Sequence, residues 1–323
     1  MCCFLSSVTY ADKAVSEAGF SPLPEAARVV VVVGKPSATN NALVAAFVEA
    51  GHDARLVPET APEIGPYDLV IGRADILPTL DGIEPSIGEL ARLEGLGARI
   101  LNRPSALIAA HDKLSTALLL GRAGVEQPLT AHVSDTSVPS FAAPYVVKPR
   151  FGSWGQDVHL CVSEDELREH LGRLRDEPWF RRQGAIVQSL IEPAGRDLRV
   201  VVAAGRVVGA IERVAPPGEW RTNVALGGHR VRIDAPPGAQ GLALRAVAAL
   251  GLDLAGVDIA TDAVGRMYVI EVNGAVDFTP EYGKDVFAVA ADALLSVAAQ
   301  PFLAPTLPGV TTVEETALAD SAA

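Results

Sequence analysis

Hydrophobic positions first cluster in the unbroken run Val29-Val30-Val31-Val32-Val33, which ends at Gly34 and has the character of a strand buried on both faces. A helical stretch Asn41–Ala50 follows, then a strand at Ala54–Val57, a strand at Asp68–Gly72, a helix at Ile87–Leu96 and a strand at Arg99–Asn102 that Pro104 stops. Strands alternating with helices predict a small parallel α/β sheet over residues 27–103. Lys113–Ala123 reads as a helix closed by Gly124. Tyr145–Lys148 and Val158–Val162 read as two strands around the turn Phe151-Gly152-Ser153-Trp154-Gly155, a hairpin with a mobile tip.

Glu164–Arg175 is a charged helix, and from Ile186 the pattern changes to the antiparallel meander Ile186–Ile191, Asp197–Ala203 and Val207–Val214. A helix Gln240–Leu250 precedes the strands Ala255–Ala260 and Met267–Asn273, joined across Asp262-Ala263-Val264-Gly265, and a last helix spans Val286–Ala299. The fold class expected is α/β, with α+β character in the C-terminal part. Five segments follow: an N-terminal extension 1–26, an α/β domain 27–103, a central subdomain 104–185 with the glycine-bearing turn, a C-terminal subdomain 186–304 and a flexible tail 305–323.

Composition narrows the function. Hydrophobic residues make up 49% and the formal net charge is −12, so attraction to nucleic acid or an anionic membrane is not expected, and no apolar run reaches membrane-span length. Cys2, Cys3 and Cys161 cannot build a disulfide framework or a Cys-x-x-Cys site, the N-terminus lacks a basic region before an apolar core, and a cytoplasmic setting is expected. Neither a P-loop nor a Gly-x-Gly-x-x-Gly turn is present, and the six histidines show no ligand spacing, which leaves a zinc enzyme or hydrolase triad without support.

Three groups could carry chemistry. Alternation along Ile270-Glu271-Val272-Asn273 sets Glu271 and Asn273 on one strand face, with Ile270 and Val272 on the other. If the hairpin centres between Val264 and Gly265, Asp258 lies opposite Glu271 at about 4.5–5.5 Å between Cβ atoms. Like charges that close call for a cation, and two carboxylates with an amide oxygen suit Mg²⁺. Lys148 ends a Val-Val strand just before Gly152 and Gly155, as in a phosphate clamp with a lid, although a strand-end lysine also serves as an ordinary surface residue. Arg196-Asp197-Leu198-Arg199 and Glu219-Trp220-Arg221-Thr222-Asn223 offer either guanidinium forks for carboxylate or phosphate, or a surface ion pair on Asp197.

Taken in order, His111-Asp112-Lys113, Val147-Lys148-Pro149 with the glycine turn, Gln188-Ser189-Leu190-Ile191-Glu192, Gly195–Arg199, Trp220–Asn223 with Gly227-Gly228, Ala255–Asp258 and Glu271-Val272-Asn273 resemble the ATP-grasp superfamily. Within it they are similar to the carboxylate–amine ligases of RimK and LysX type. The resemblance implies an ATP-grasp fold preceded by an N-terminal pre-ATP-grasp α/β domain, and an enzyme that forms an amide through an acyl phosphate. It also implies ATP held by Lys113, Lys148, the lid residues Gly152, Ser153, Trp154 and Gly155, and the hinge Gln188, Ser189, Leu190 and Ile191. Magnesium, as two ions replaceable by Mn²⁺, would sit on Asp258, Glu271 and Asn273. Arg199, Arg221 and Asn223 would be catalytic.

Leu226 stands where the family commonly carries a basic residue before the Gly-Gly pair, and Gly274–Glu281 is more like the LysX continuation. The expected substrates are an amino-acid amine and the terminal glutamate of a small acidic carrier protein, docked on Arg213, Arg221, His229, Arg230 and Arg232, with the enzyme a dimer or tetramer. A ligase of free amino acids and a non-catalytic nucleotide-binding module are the alternatives.

Overall fold

The structure is a computed structural model that describes residues 29–58, 69–74 and 85–300. The expected N-terminal extension and tail lie outside the described residues. The first layer comprises β1 (Val29–Gly34), α1 (Ala38–Glu49), β2 (Asp53–Val57), β3 (Leu69–Arg73), α2 (Pro85–Gly95) and β4 (Arg99–Leu101). Its strands are parallel in the order β2-β1-β3-β4. The valine run is buried on both faces because Val30 and Val32 point into one core and Val31 and Val33 into another.

Pro104 opens a helix immediately after β4: α3 (Pro104–His111) starts with proline at its first turn, where no amide hydrogen is needed. Asp112 ends α3 and accepts from the Leu114 amide to cap α4 (Lys113–Arg122). The second sheet contains β5 (Thr130–Val133), β6 (Tyr145–Pro149), β7 (His159–Cys161) and β8 (Ala185–Ser189), antiparallel in the order β5-β8-β6-β7. Its apolar face, with Tyr145, Val147 and Val187, packs on α5 (Glu164–Leu174) and α6 (Pro178–Gln183) through Leu167, Leu171 and Phe180. Sequence patterning shows neither the four-residue edge strand β5 nor the one-and-a-half-turn α6, since both are too short to display a period. The hairpin around the glycine turn is present as expected.

The third sheet runs β11-β10-β9-β12-β13, from β9 (Arg196–Ala203), β10 (Arg206–Val214), β11 (His229–Arg232), β12 (Leu254–Thr261) and β13 (Met267–Asn273). One face carries Val200, Val202, Val257, Ile259, Val269 and Val272 against the Ala/Leu stripe of α7 (Pro237–Leu250). Small alanines at Ala239, Ala243 and Ala246 let the helix lie close to the strands. The other face is polar over its outer half and forms the floor of a cleft.

Below that floor, α8 (Val286–Ala298) and Phe278 join the third sheet to α1 and the first sheet in one shared core. Asn102 bolts the two together. Buried and at φ +56°, it accepts from the Asp253 and Leu254 amides at 2.7 and 2.8 Å and donates to the Leu254 and Gly274 carbonyls at 2.6 and 2.9 Å. Four bonds from one buried amide fix the start of β12 and the loop that leaves β13.

Candidate functional site

The β12–β13 hairpin organises the cleft. Asp258 pairs with Glu271, as the spacing required, but the turn does not centre where it was expected. Thr261–Met267, Ala260–Tyr268 and Ile259–Val269 pair about Val264 itself, and a bulge beyond Ile259 restores the Asp258–Glu271 register. The bulge has a chemical result. Val269 and Val272 both face α7, while Ile270, expected on that side, lines the cleft beside Glu271. Asn273 shares the cleft with Glu271, opposite Gly256, where a Cβ would lie 2.4 Å from Val276 Cγ2.

Charge repulsion between Asp258 and Glu271 is eased by protein cations as well, which sequence reasoning did not foresee. Arg199, opposite Asp258 on β9, donates Nε to Oδ1 and Nη2 to Oδ2, both at 2.6 Å, and Arg213 Nη2 adds a contact to Oδ2 at 2.8 Å. Burial pushes the Asp258 carboxyl upward, and the guanidiniums of Arg199 and Arg213 outweigh it, so the group stays below the usual carboxylate range. Asp197 is not on the surface. It is buried opposite Arg213, which grips it at 2.7 and 2.6 Å, and it accepts from the Thr222 hydroxyl. A single guanidinium, Arg213, thus bridges two buried carboxylates.

Lys148 ends β6 with its ammonium over β13, 3.4 Å from the Ile270 carbonyl. It is a buried cation, not a surface lysine: burial lowers it to about 8, against the upward pull of Glu271. Lys113, at the start of α4, reaches the same place, 3.6 Å from Glu271 Oε1, and donates to the Gly152 carbonyl of the lid at 2.6 Å. The lid base is clamped to the α3–α4 junction, where Arg150 forks onto Asp112 at 2.7 and 2.6 Å and Phe151 meets the His111 ring. At the tip, Trp154 (φ +65°) is 61% exposed. Arg221 is fixed by Glu219 at 3.0 and 2.8 Å and donates to the Gly155 carbonyl at 3.3 Å, so it holds the lid. Asn223 lies against Gly155, whose φ of +72° and lack of Cβ both permit the contact.

Two chambers flank these lysines. One is a narrow slot between Val146, Leu190, Ile191, Trp220, Ala260 and Ile270, with Lys148 and Gln188 at its inner end. The strand expected to reach Ile191 stops at Ser189. Leu190 still donates to the Pro144 carbonyl, and among the described residues the Ile191 amide forms no hydrogen bond, leaving it available to the slot. The slot suits a flat heteroaromatic ring. The second chamber holds Arg199, Arg213, Arg230, Glu271, Asn273 and the lid residues Gly152, Ser153 and Trp154.

Arg230 belongs to this chamber rather than to an external docking patch. It pairs with Glu281 at 3.0 Å, and its Nε is buried with no hydrogen-bond partner. The expected patch is divided in the structure: Arg213 is buried and Arg221 ties the lid, while His229 and Arg232 remain outside. Sequence reasoning assigned Arg213 and Arg230 only to that patch, whereas strand pairing sets Arg213 directly opposite both Arg230 and Asp197, on the cleft face.

The donors fit magnesium. Glu271 and Asn273 bring hard oxygens to one face, and the buried, unpartnered Asn273 Nδ2 is a donor left over for an anionic ligand such as a phosphate oxygen. Asp258 Oδ1, with one bond from Arg199, keeps an acceptor site free.

Residues 110–293 match a family model described as a RimK-like ATP-grasp domain, and the chain belongs to that family. It is therefore an ATP-grasp carboxylate–amine ligase, an enzyme class that forms C–N bonds with ATP and magnesium. A probable alpha-L-glutamate ligase of Aeromonas salmonicida is 34% identical over 235 residues, 69% of this chain and 76% of the relative. A ribosomal protein bS6–L-glutamate ligase of Salmonella newport is 36% identical over 214 residues, 62% and 70% of the two chains. Among solved structures, the ATP-grasp ligase PsnB complexed with minimal precursor, Mg and ADP has the same fold at a TM-score of 0.62 and 20% identity, covering 84% of this chain and 98% of that one. Among the described residues no helix is long and apolar enough to cross a membrane.

Proposed function

We propose that this ligase activates the carboxylate of a peptide or protein glutamate as an acyl phosphate and joins it to the amine of an amino acid. The observation that carries the reading is the junction of the two chambers. Lys113, Lys148, Glu271 and Asn273 meet between a slot suited to adenine and a chamber rich in arginine. Adenine would stack in the slot with the Ile191 amide at its edge, and Lys148 and Lys113 would meet the phosphates. Glu271, Asn273 and Asp258 would hold magnesium, as two ions replaceable by Mn²⁺, and the metal would supply charge neutralisation on the transferring phosphoryl group.

The donor carboxylate oxygen attacks the γ-phosphorus, the bond to the β-phosphate oxygen breaks, and ADP leaves. The amine then attacks the acyl carbon, phosphate departs, and the amine loses its extra proton. Arg199, with Nη1 unused by Asp258, lies where it could steady the oxyanion; Arg230 would take a substrate carboxylate. Arg221 and Asn223 act through the lid, which keeps water from the acyl phosphate. The relatives named glutamate ligases support an amino-acid substrate, and the one named for ribosomal protein bS6 supports a protein partner.

A small acidic carrier protein ending in glutamate is the partner we favour, because Gly274–Glu281 is LysX-like and His229 and Arg232 give a basic mouth on an otherwise acidic protein. The test is magnesium- and ATP-dependent phosphate release with pooled amino acids, with and without such a carrier, read with the carrier mass. A gain of one amino-acid residue supports the reading. Release with free amino acids alone transfers the activity to small substrates, and ATP binding without release under any mixture overturns catalysis.

A further inference from the structure

Away from the cleft, on the outgoing arm of the lid, the structure assembles a set of side chains that the ligase chemistry does not use. His159 and Cys161 are two apart on β7 and so share a face, while Glu166 and His170 are four apart on α5 and also share one. The two faces meet. Ligand atoms of His159, Cys161 and Glu166 all lie within 4.8 Å of one another, with His159 Nε2 at 3.9 Å from Glu166 Oε1. The His170 ring stacks on His159 with centroids 4.1 Å apart, and its Nε2 is buried with no hydrogen-bond partner. The sequence signal is His-x-Cys followed by Glu-x-x-x-His, a strand pair and a helix pair that a search for spacing among histidines alone overlooks.

A local role explains only part of this. Glu166 Oε2 accepts from the Val162 amide at 2.9 Å and belongs to the cap of α5, where Ser163 accepts from the Glu166 amide. That leaves Oε1 directed at His159, a buried thiol beside it, and an imidazole nitrogen without a partner. Two imidazoles, one sulfur and one carboxylate are a borderline-soft set that suits four-coordinate zinc far better than magnesium. Ligands of tetrahedral zinc sit about 3.3–3.8 Å apart, a gap that side-chain torsions close for His159, Cys161 and Glu166, while the His170 ring, now stacked 13° from the plane of His159, would rotate out of the stack to bring Nε2 in as the fourth ligand.

We propose that His159, Cys161, Glu166 and His170 form a closed structural site for one zinc-type divalent cation, which staples β7 to α5. Because β7 leads directly out of the glycine turn, the bound ion would anchor one end of the lid while its tip stays free to move. The site needs neither substrate nor turnover.

Cobalt(II) distinguishes this site from the cleft, because a thiolate ligand gives a charge-transfer absorption that an all-oxygen magnesium site cannot. The full-length chain, stripped with chelator and titrated with Co²⁺ alone, should bind about one equivalent with thiolate charge-transfer and intense tetrahedral visible bands, both displaced by Zn²⁺. Cys161→Ser should remove the charge-transfer band, and His170→Ala should weaken binding on the order of tenfold or more. Glu271→Gln and the double variant Cys2→Ser/Cys3→Ser should keep the bands. A spectrum without a thiolate band, or one that survives Cys161→Ser but is lost in Glu271→Gln, overturns the proposal. Circular dichroism of each variant checks that it folds, and His159→Gln, which keeps a polar side chain of similar length, repeats the test if His170→Ala does not.

Discussion

Arg199 faces Asp258 across β9 and β12 and donates two parallel hydrogen bonds of 2.6 Å to it, so the carboxylate is already neutralised by protein before any metal ion arrives. Asp258 is buried and Arg199 half-buried, and their geometry is the bidentate fork that guanidinium and carboxylate planes prefer. Removing Asp258 would leave Arg199 and Arg213 facing each other with only Asp197 between them. Asp258→Ala should therefore destabilise the fold by about 3–5 kcal/mol, seen as a lower denaturant midpoint, because an uncompensated buried charge remains. Arg199→Lys keeps the charge but not the fork, and a smaller loss of stability should accompany a large loss of turnover.

Lys148 has a different thermodynamic signature. Burial lowers its ammonium to about 8 from the ordinary lysine value of 10.5, so between those values the unfolded chain binds more protons than the folded one and stability rises with pH. Below pH 8 the cost of the buried charge is fully present, about 3 kcal/mol. Lys148→Met should then be more stable than the parent at pH 7, with the difference fading towards pH 10, while nucleotide affinity falls. Urea unfolding at pH 7 and pH 9.5 measures the first, and a fluorescent ATP analogue the second. A variant less stable than the parent at pH 7 would contradict the account.

Glu271→Gln keeps the shape of the side chain and the contact distance to Lys113 but removes the charge. Magnesium-dependent turnover should disappear with the melting temperature nearly unchanged, since this carboxylate is part-exposed and its ion pair contributes little to stability. Retained turnover would remove Glu271 from the metal site.

Gly155 combines a φ of +72° with Asn223 Oδ1 at 2.8 Å from where a Cβ would stand. Gly155→Ala should displace the lid from Asn223 and raise futile ATP hydrolysis relative to amide formation, because water gains access to the acyl phosphate. The ratio of phosphate released to amide formed reads this directly.

Arg230 reaches the second chamber with a buried, unpartnered Nε. Arg230→Ala should raise KM for the carboxylate-bearing substrate by about 10- to 100-fold, the worth of a charge-assisted hydrogen bond, while the KM for ATP holds. Equal changes in both would assign Arg230 to the structure of the chamber alone.

Much of this was legible in the linear chain, for physical reasons. A strand buried on both faces must be apolar throughout, so Val29–Val33 announced the first sheet, and the two-residue period made Glu271 and Asn273 neighbours before any coordinates. The order of the motifs, from His111-Asp112-Lys113 to Glu271-Val272-Asn273, carried the family. Tertiary structure alone decided who neutralises whom. Asp197 looked free to pair with Arg196 or Arg199, but strand pairing brings Arg213 to it and Arg199 to Asp258, contacts set by partners 16 and 59 residues away. The bulge in β13 that turns Ile270 into the cleft costs no residue type and leaves no mark in the pattern. Short elements such as β5 and α6 likewise form because a sheet edge or a core awaits them. Local periodicity records which face of an element is buried; it cannot record what lies opposite, and the charges of this cleft are settled by what lies opposite.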